Sequence, residues 1–96
     1  AAVLAGVMSS SAMADPAKGQ KLYLKKLKKA CGINGAKMSA KHTQDEWEAL
    51  KNDGKLEDEI IKICPKVKKG YLKDKWMNDI YDFFYNYASD SGNVPS

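Results

Sequence analysis

The sequence predicts an all-α fold: one small domain of about four helices. Three observations carry this. Apolar residues recur at spacings of three and four, most clearly in Leu72, Trp76, Ile80, Phe83, Phe84 and Tyr87. Helix-start and helix-stop signals bracket each such stretch. No stretch alternates apolar with polar residues as a half-buried strand does. With 96 residues, 44% of them hydrophobic, the chain is too apolar for a disordered tail and too short for a large core. A core of that size calls for a staple.

The elements follow in order. Asp15-Pro16 opens the first helix, an N-cap acceptor followed by proline at the first helical position. The helix runs through Lys18 to about Lys29, with Tyr23, Leu27 and Ala30 on one face and Leu24 beside them. Gly32 and Gly35 end it, and residues 31–41 read as an irregular loop. Thr43-Gln44-Asp45-Glu46 is a capping box that starts a second helix, with Trp47 and Leu50 pointing inward and Asn52-Asp53-Gly54 stopping it. A third helix covers Leu56 to Ile63, with Leu56, Ile60 and Ile63 on one face and Pro65 preventing continuation. A lysine-rich loop leads to the last helix, about Leu72 to Ala88, and a polar tail closes the chain. The predicted core is Tyr23, Leu27, Trp47, Leu50, Ile60, Trp76, Ile80, Phe83 and Phe84.

Residues 1–14 carry no charged side chain and end in Ala12-Met13-Ala14 before Asp15. A short apolar run closed by a small-x-small triplet is the remnant of a secretory signal peptide. It is too short to span a bilayer. The expectation is a single mature domain over residues 15–96, without a transmembrane segment. It would work in an oxidising compartment, most simply a bacterial periplasm, where a disulfide persists. Cys31 and Cys64 are the two cysteines, so one disulfide is the maximum.

The charge is unevenly spread. All sixteen basic residues are lysine, and the net charge is +4. Residues 16–44 hold eight lysines (18, 21, 25, 26, 28, 29, 37 and 41) and no acid. A second cluster, Lys62, Lys66, Lys68, Lys69 and Lys73, has no acid inside it. Such asymmetry points to an acidic partner, met through complementary fields. Nucleic acid fits poorly: there is no arginine for bidentate contacts, and the aromatics lie on a helical stripe rather than among the lysines. Anionic lipid is a lesser fit, because the first helix has only a narrow apolar face.

His42 is the sole histidine and a weak candidate metal ligand. With Met38 nearby in sequence and Met77 further on, the donor types suit copper, which leaves a copper carrier as one alternative. Catalysis has no visible machinery. Asp45, Glu46 and Glu48 read as first-turn charges favoured by the helix dipole, and Asp53, Glu57, Asp58 and Glu59 as a solvated face. The chain is not expected to be an enzyme.

From Gly19 to Gly32 the chain reads Gly-Gln-Lys-Leu-Tyr-Leu-Lys-Lys-Leu-Lys-Lys-Ala-Cys-Gly, and here it resembles class I cytochrome c. Gly19, Leu22 and Tyr23 match that family's first helix, and Gly32 matches the glycine after its haem-ligating histidine. His42 to Trp47 looks like its middle helix, and Trp76 to Tyr87 like the C-terminal helix that packs across the first. The haem-attachment motif is missing. Its two cysteine positions read Leu27 and Ala30, its histidine position reads Cys31, and the methionine of the second iron ligand corresponds to Cys64-Pro65. Without Cys-x-x-Cys there is no covalent c-type haem, and no cofactor is expected.

The resemblance implies that Cys31 and Cys64 stand where two axial ligands would approach one iron from opposite sides. With the haem gone and the pocket closed, the two sulfurs could bond, and a disulfide would replace haem as the staple. It would also bring Lys25, Lys26, Lys28 and Lys29 to the same side as Lys66, Lys68 and Lys69, a lysine-rich rim of the kind cytochromes c present to acidic redox partners. The resulting expectation is an exported, haem-less, cytochrome-c-like protein. It would act as a small basic binding or accessory module for an acidic periplasmic partner, such as a respiratory one. The alternative is redox work, through a non-covalent haem or through thiol–disulfide exchange, since lysines beside both cysteines favour thiolate.

Overall fold

A computed structural model describes residues 15–95; the signal-peptide remnant read at residues 1–14 lies outside them. The described residues form five helices and no strand. Helix α1 is continuous over residues 16–31 but changes pitch on the way. Pro16–Leu22 is α-helical, Tyr23–Leu27 is a wide π segment, and Lys28–Cys31 returns to the α form. The other four are α2 (Gly35–Ser39), α3 (Gln44–Asn52), α4 (Leu56–Ile63) and α5 (Asp74–Asn86).

Local chemistry accounts for most boundaries. The Asp15 carboxylate accepts from the Ala17 N–H at 2.9 Å, with Pro16 in the first turn, as the sequence predicts. Gly32 ends α1 at φ 75°, a left-handed conformation that a side chain would resist, and its N–H reaches the Lys28 carbonyl. The capping box is complete: the Glu46 N–H donates to the Thr43 hydroxyl, and the Thr43 N–H donates to the Glu46 carboxylate. Helix α4 has the predicted bounds.

Two expectations need correction. The loop read at 31–41 contains α2, whose first turn is capped by Asn34 accepting from the Lys37 N–H at 2.8 Å. The last helix starts at Asp74 and ends at Asn86, inside the predicted Leu72–Ala88. Leu72 and Ala88 are nonetheless buried, as the extended or turning residues that flank the helix.

The core forms where α1 packs on α5, with α3 and α4 closing one side. Tyr23, Leu27, Trp47, Ile60, Ile80, Phe83 and Phe84 are wholly buried, joined by Met38 and Cys64. Leu50 and Trp76, expected inside, are only half-buried. Trp47 stacks on Phe84 with ring centroids 4.6 Å apart, and its Nε1–H donates to the Ser39 carbonyl at 2.9 Å. That bond satisfies the one polar atom a buried indole carries.

The buried Tyr23 hydroxyl donates to the Ile33 carbonyl at 2.6 Å, and burial pushes its pKa from 10.0 up to about 12. The native state therefore holds this proton more tightly than the unfolded chain does. The stability it contributes is whole below pH 10.0 and is lost as pH rises towards about 12. Tyr23→Phe is expected to cost about 1 kcal/mol at neutral pH, because the Ile33 carbonyl loses its donor. It should also flatten the alkaline decline in stability. Urea midpoints measured from pH 7 to pH 12 check this; parallel declines in the two proteins would refute it.

Candidate functional site

The ends of α1 and α4 meet at a disulfide. The Cys31 and Cys64 sulfurs are 2.07 Å apart and their Cα atoms 4.4 Å apart. Cys64 is wholly buried and Cys31 partly exposed, so the bond is shielded on one side. Two helix C-termini, each with partial negative charge, are brought close here. Lys28 and Lys29 in the last turn of α1 and Lys62 in that of α4 offset that charge. Some of the lysine density thus serves the fold itself. Cys31 and Cys64 are also the positions that the cytochrome resemblance would give to iron ligands. Each sulfur is bonded to the other, so the residues present do not fit an iron-bound haem there.

The bond joins the two chain segments that carry the lysine runs, residues 25–29 ahead of Cys31 and residues 66–69 after Cys64. Lys25, Lys28, Lys29, Lys66 and Lys68 are exposed and Lys26 is half-buried; among the described residues none of them forms an ion pair. Lys69 differs. Its Nζ lies 2.7 Å from Asp58 Oδ1 and 3.5 Å from Glu57 Oε1, and the Asp58 carboxylate holds its pKa above the usual lysine value. Lys69 therefore ties the loop to the start of α4, where the Gly70 N–H also donates to Glu57 at 2.8 Å. Its charge is largely spent within the protein.

Trp76, assigned to the core by its spacing, stands instead at the edge of the lysine cluster. The Lys26 ammonium sits 5.0 Å from its ring centre and that of Lys73 5.7 Å. The exposed Tyr71 meets Trp76 edge-on and donates its hydroxyl to the Lys26 carbonyl at 3.1 Å, pinning the loop to α1. Between α1 and α5 beside Trp76 lies a groove of about 340 Å³. Lys18, Lys21 and Lys25 line it from α1 and Lys75 from α5, with Leu22 and Trp76 as its apolar surface. The cue for Trp76 was available in Lys73-Asp74-Lys75-Trp76, where charges flank it closely.

His42 is far less free than a residue ahead of a helix cap ordinarily is. Its Nδ1 lies 3.2 Å from Glu46 Oε1 and its Nε2 2.8 Å from Glu59 Oε2, while its ring meets Trp47 edge-on. Both ring nitrogens face a carboxylate, one on α3 and one on α4. His42 thus clasps the start of α3 to α4. The buried Met38 belongs to the core, and no group of three or more potential metal ligands is placed to hold an ion among the described residues. The backbone N–H of Thr43 and the His42 ring hold the Glu46 carboxyl below its usual pKa.

No helix among the described residues is long and apolar enough to cross a membrane. No protein-family model, curated protein or solved structure matches this chain.

Proposed function

We propose that the chain is a small exported binding module that docks an acidic protein partner through its lysine face. The observation that carries this reading is the Cys31–Cys64 bond. It joins the segments that carry the two lysine runs, and Lys25, Lys26, Lys28, Lys29, Lys66 and Lys68 lack internal acidic partners among the described residues. Unpaired surface ammonium groups gathered on one face raise the encounter rate with an acidic surface and orient the approach. The paired cysteines also suit an oxidising compartment, as the apolar run before Asp15 does. A lysine face beside a sealed disulfide needs no haem, metal or nucleophile to bind.

The test is charge reversal. Replacing Lys25, Lys26, Lys28 and Lys29 by Glu should abolish capture of the acidic protein that the unaltered chain retains from its native host. Capture by the unaltered chain should weaken steeply between low and physiological salt. Capture that survives both changes would overturn the reading. Thiol–disulfide exchange predicts a different outcome: loss of the same partner when Cys31 alone is blocked, with the salt dependence unchanged.

A further inference from the structure

We infer that the groove between α1 and α5 is the specificity pocket of this face, taking an acidic peptide segment that carries one large apolar side chain. This rests on the docking reading above and goes further by naming the recognised element. Lysines surround the groove. Lys18, Lys21, Lys25 and Lys75 line the groove, and Lys26 and Lys73 lie over the Trp76 ring. Asp79 is the single carboxylate among the lining residues, and its Oδ1 already accepts the Asp15 N–H at 2.9 Å. The lysines outnumber the carboxylate in the lining, so the groove favours an anionic occupant.

The charges alone would suit any polyanion; the shape narrows the choice. Leu22 and the half-buried Trp76 give the groove an apolar surface, and about 340 Å³ accommodates one or two side chains. Single-stranded nucleic acid needs open aromatic faces on which successive bases stack. Here the groove lining holds one indole and no second aromatic ring, so successive bases have nothing to stack on. A membrane needs a convex apolar face, and the exposed large apolar residues here, Leu24, Tyr71 and Val94, are not part of the groove lining. An extended acidic segment satisfies the lysines along α1, which recur at 18, 21 and 25 on one side of the helix, and places its apolar residue against Leu22 and Trp76.

Trp76 is also the reporter. The other tryptophan, Trp47, is wholly buried against Phe84, away from the groove. The probe is a synthetic peptide of six Asp and Glu residues around a central Phe, titrated into the 96-residue chain at low salt. Tryptophan emission should change on binding, and Trp76→Phe should abolish that change. The peptide with Ala in place of Phe should bind roughly fivefold to tenfold more weakly, as loss of apolar contact requires. The pair Lys21→Glu and Lys75→Glu should weaken binding at least about tenfold. Because these residues are exposed, the circular dichroism spectrum should stay native.

Three results would overturn the inference: equal binding of the Phe and Ala peptides, oligothymidylate binding as tightly as the peptide, or vesicles of anionic phospholipid outcompeting it. If reversal of Lys28, Lys29, Lys66 and Lys68 removes peptide binding while the groove variants do not, the pocket falls and the docking face stands. If none of these lysines matters, both fall.

Discussion

Removing the disulfide is expected to cost about 4 kcal/mol, the entropy of leaving open a loop of this length in the unfolded chain. The bond joins positions 33 residues apart and ties the end of α1 to the end of α4, two elements that otherwise meet mainly through the core. A domain of this size has roughly 4–12 kcal/mol of stability in all, at 0.05–0.15 kcal/mol per residue. The loss therefore takes a third of the stability at best and nearly all of it at worst. The melting temperature should fall by about 15–30 °C, at 4–8 °C per kcal/mol. Cys31→Ala with Cys64→Ala is the variant to make. Alanine avoids burying a serine hydroxyl at Cys64, which is wholly enclosed. Urea unfolding should show a lower midpoint and a steeper slope, because an uncrosslinked chain exposes more surface when it unfolds. A loss under about 1 kcal/mol would mean that the α1–α5 interface holds the fold unaided and that the bond serves another purpose.

What could be read in advance, and what could not, divides along the range of the forces involved. The bounds of α4 were legible because Leu56 and Ile60 mark its buried face and Pro65 forbids its extension, all within a few residues. The capping box at Thr43 and Glu46 is equally local. Helix α2 was not legible, because Gly35 reads as a breaker. Its glycine is there for a distant reason: a Cβ at Gly35 would lie 2.6 Å from the Phe83 ring. The π segment is invisible to periodicity, since Tyr23 and Leu27, four apart, face inward in either kind of helix. The site divides in the same way. Counting lysines marks two basic runs, but no count assigns Lys69 to Asp58, eleven residues away. Spacing placed Trp76 on the apolar stripe of α5, but how far that stripe is covered depends on Lys26 and on the loop pinned by Tyr71. Periodicity names a face; it does not say what reaches across it.

Gly19→Ala is expected to destabilise the protein by about 2–3 kcal/mol, against the sign that helix propensity gives. In the interior of an isolated helix, alanine is favoured over glycine by about 1 kcal/mol. Gly19 lies in the first stretch of α1, away from any turn, so local reasoning predicts a gain. The packing reverses it. A Cβ on Gly19 would collide with the Asp79 carbonyl oxygen and lie 2.7 Å from the Phe83 Cβ. The first neighbour is backbone in the middle of α5 and cannot rotate aside. One helix must move off the other, which loosens the contacts that Tyr23 makes with Phe83 and Phe84 at ring separations of 6.0 and 6.3 Å. Gly32→Ala gives the contrast. A Cβ there meets nothing within 4 Å, and its cost comes only from the positive φ, about 1–2 kcal/mol. Gly19→Ala should therefore alter near-ultraviolet circular dichroism, which reports aromatic packing, whereas Gly32→Ala should not. A stabilised Gly19→Ala protein would show that α1 and α5 lie further apart than this crossing places them. The groove that Lys18, Lys21 and Lys25 line from α1 would then have a different width, so this substitution also tests the geometry on which peptide recognition depends.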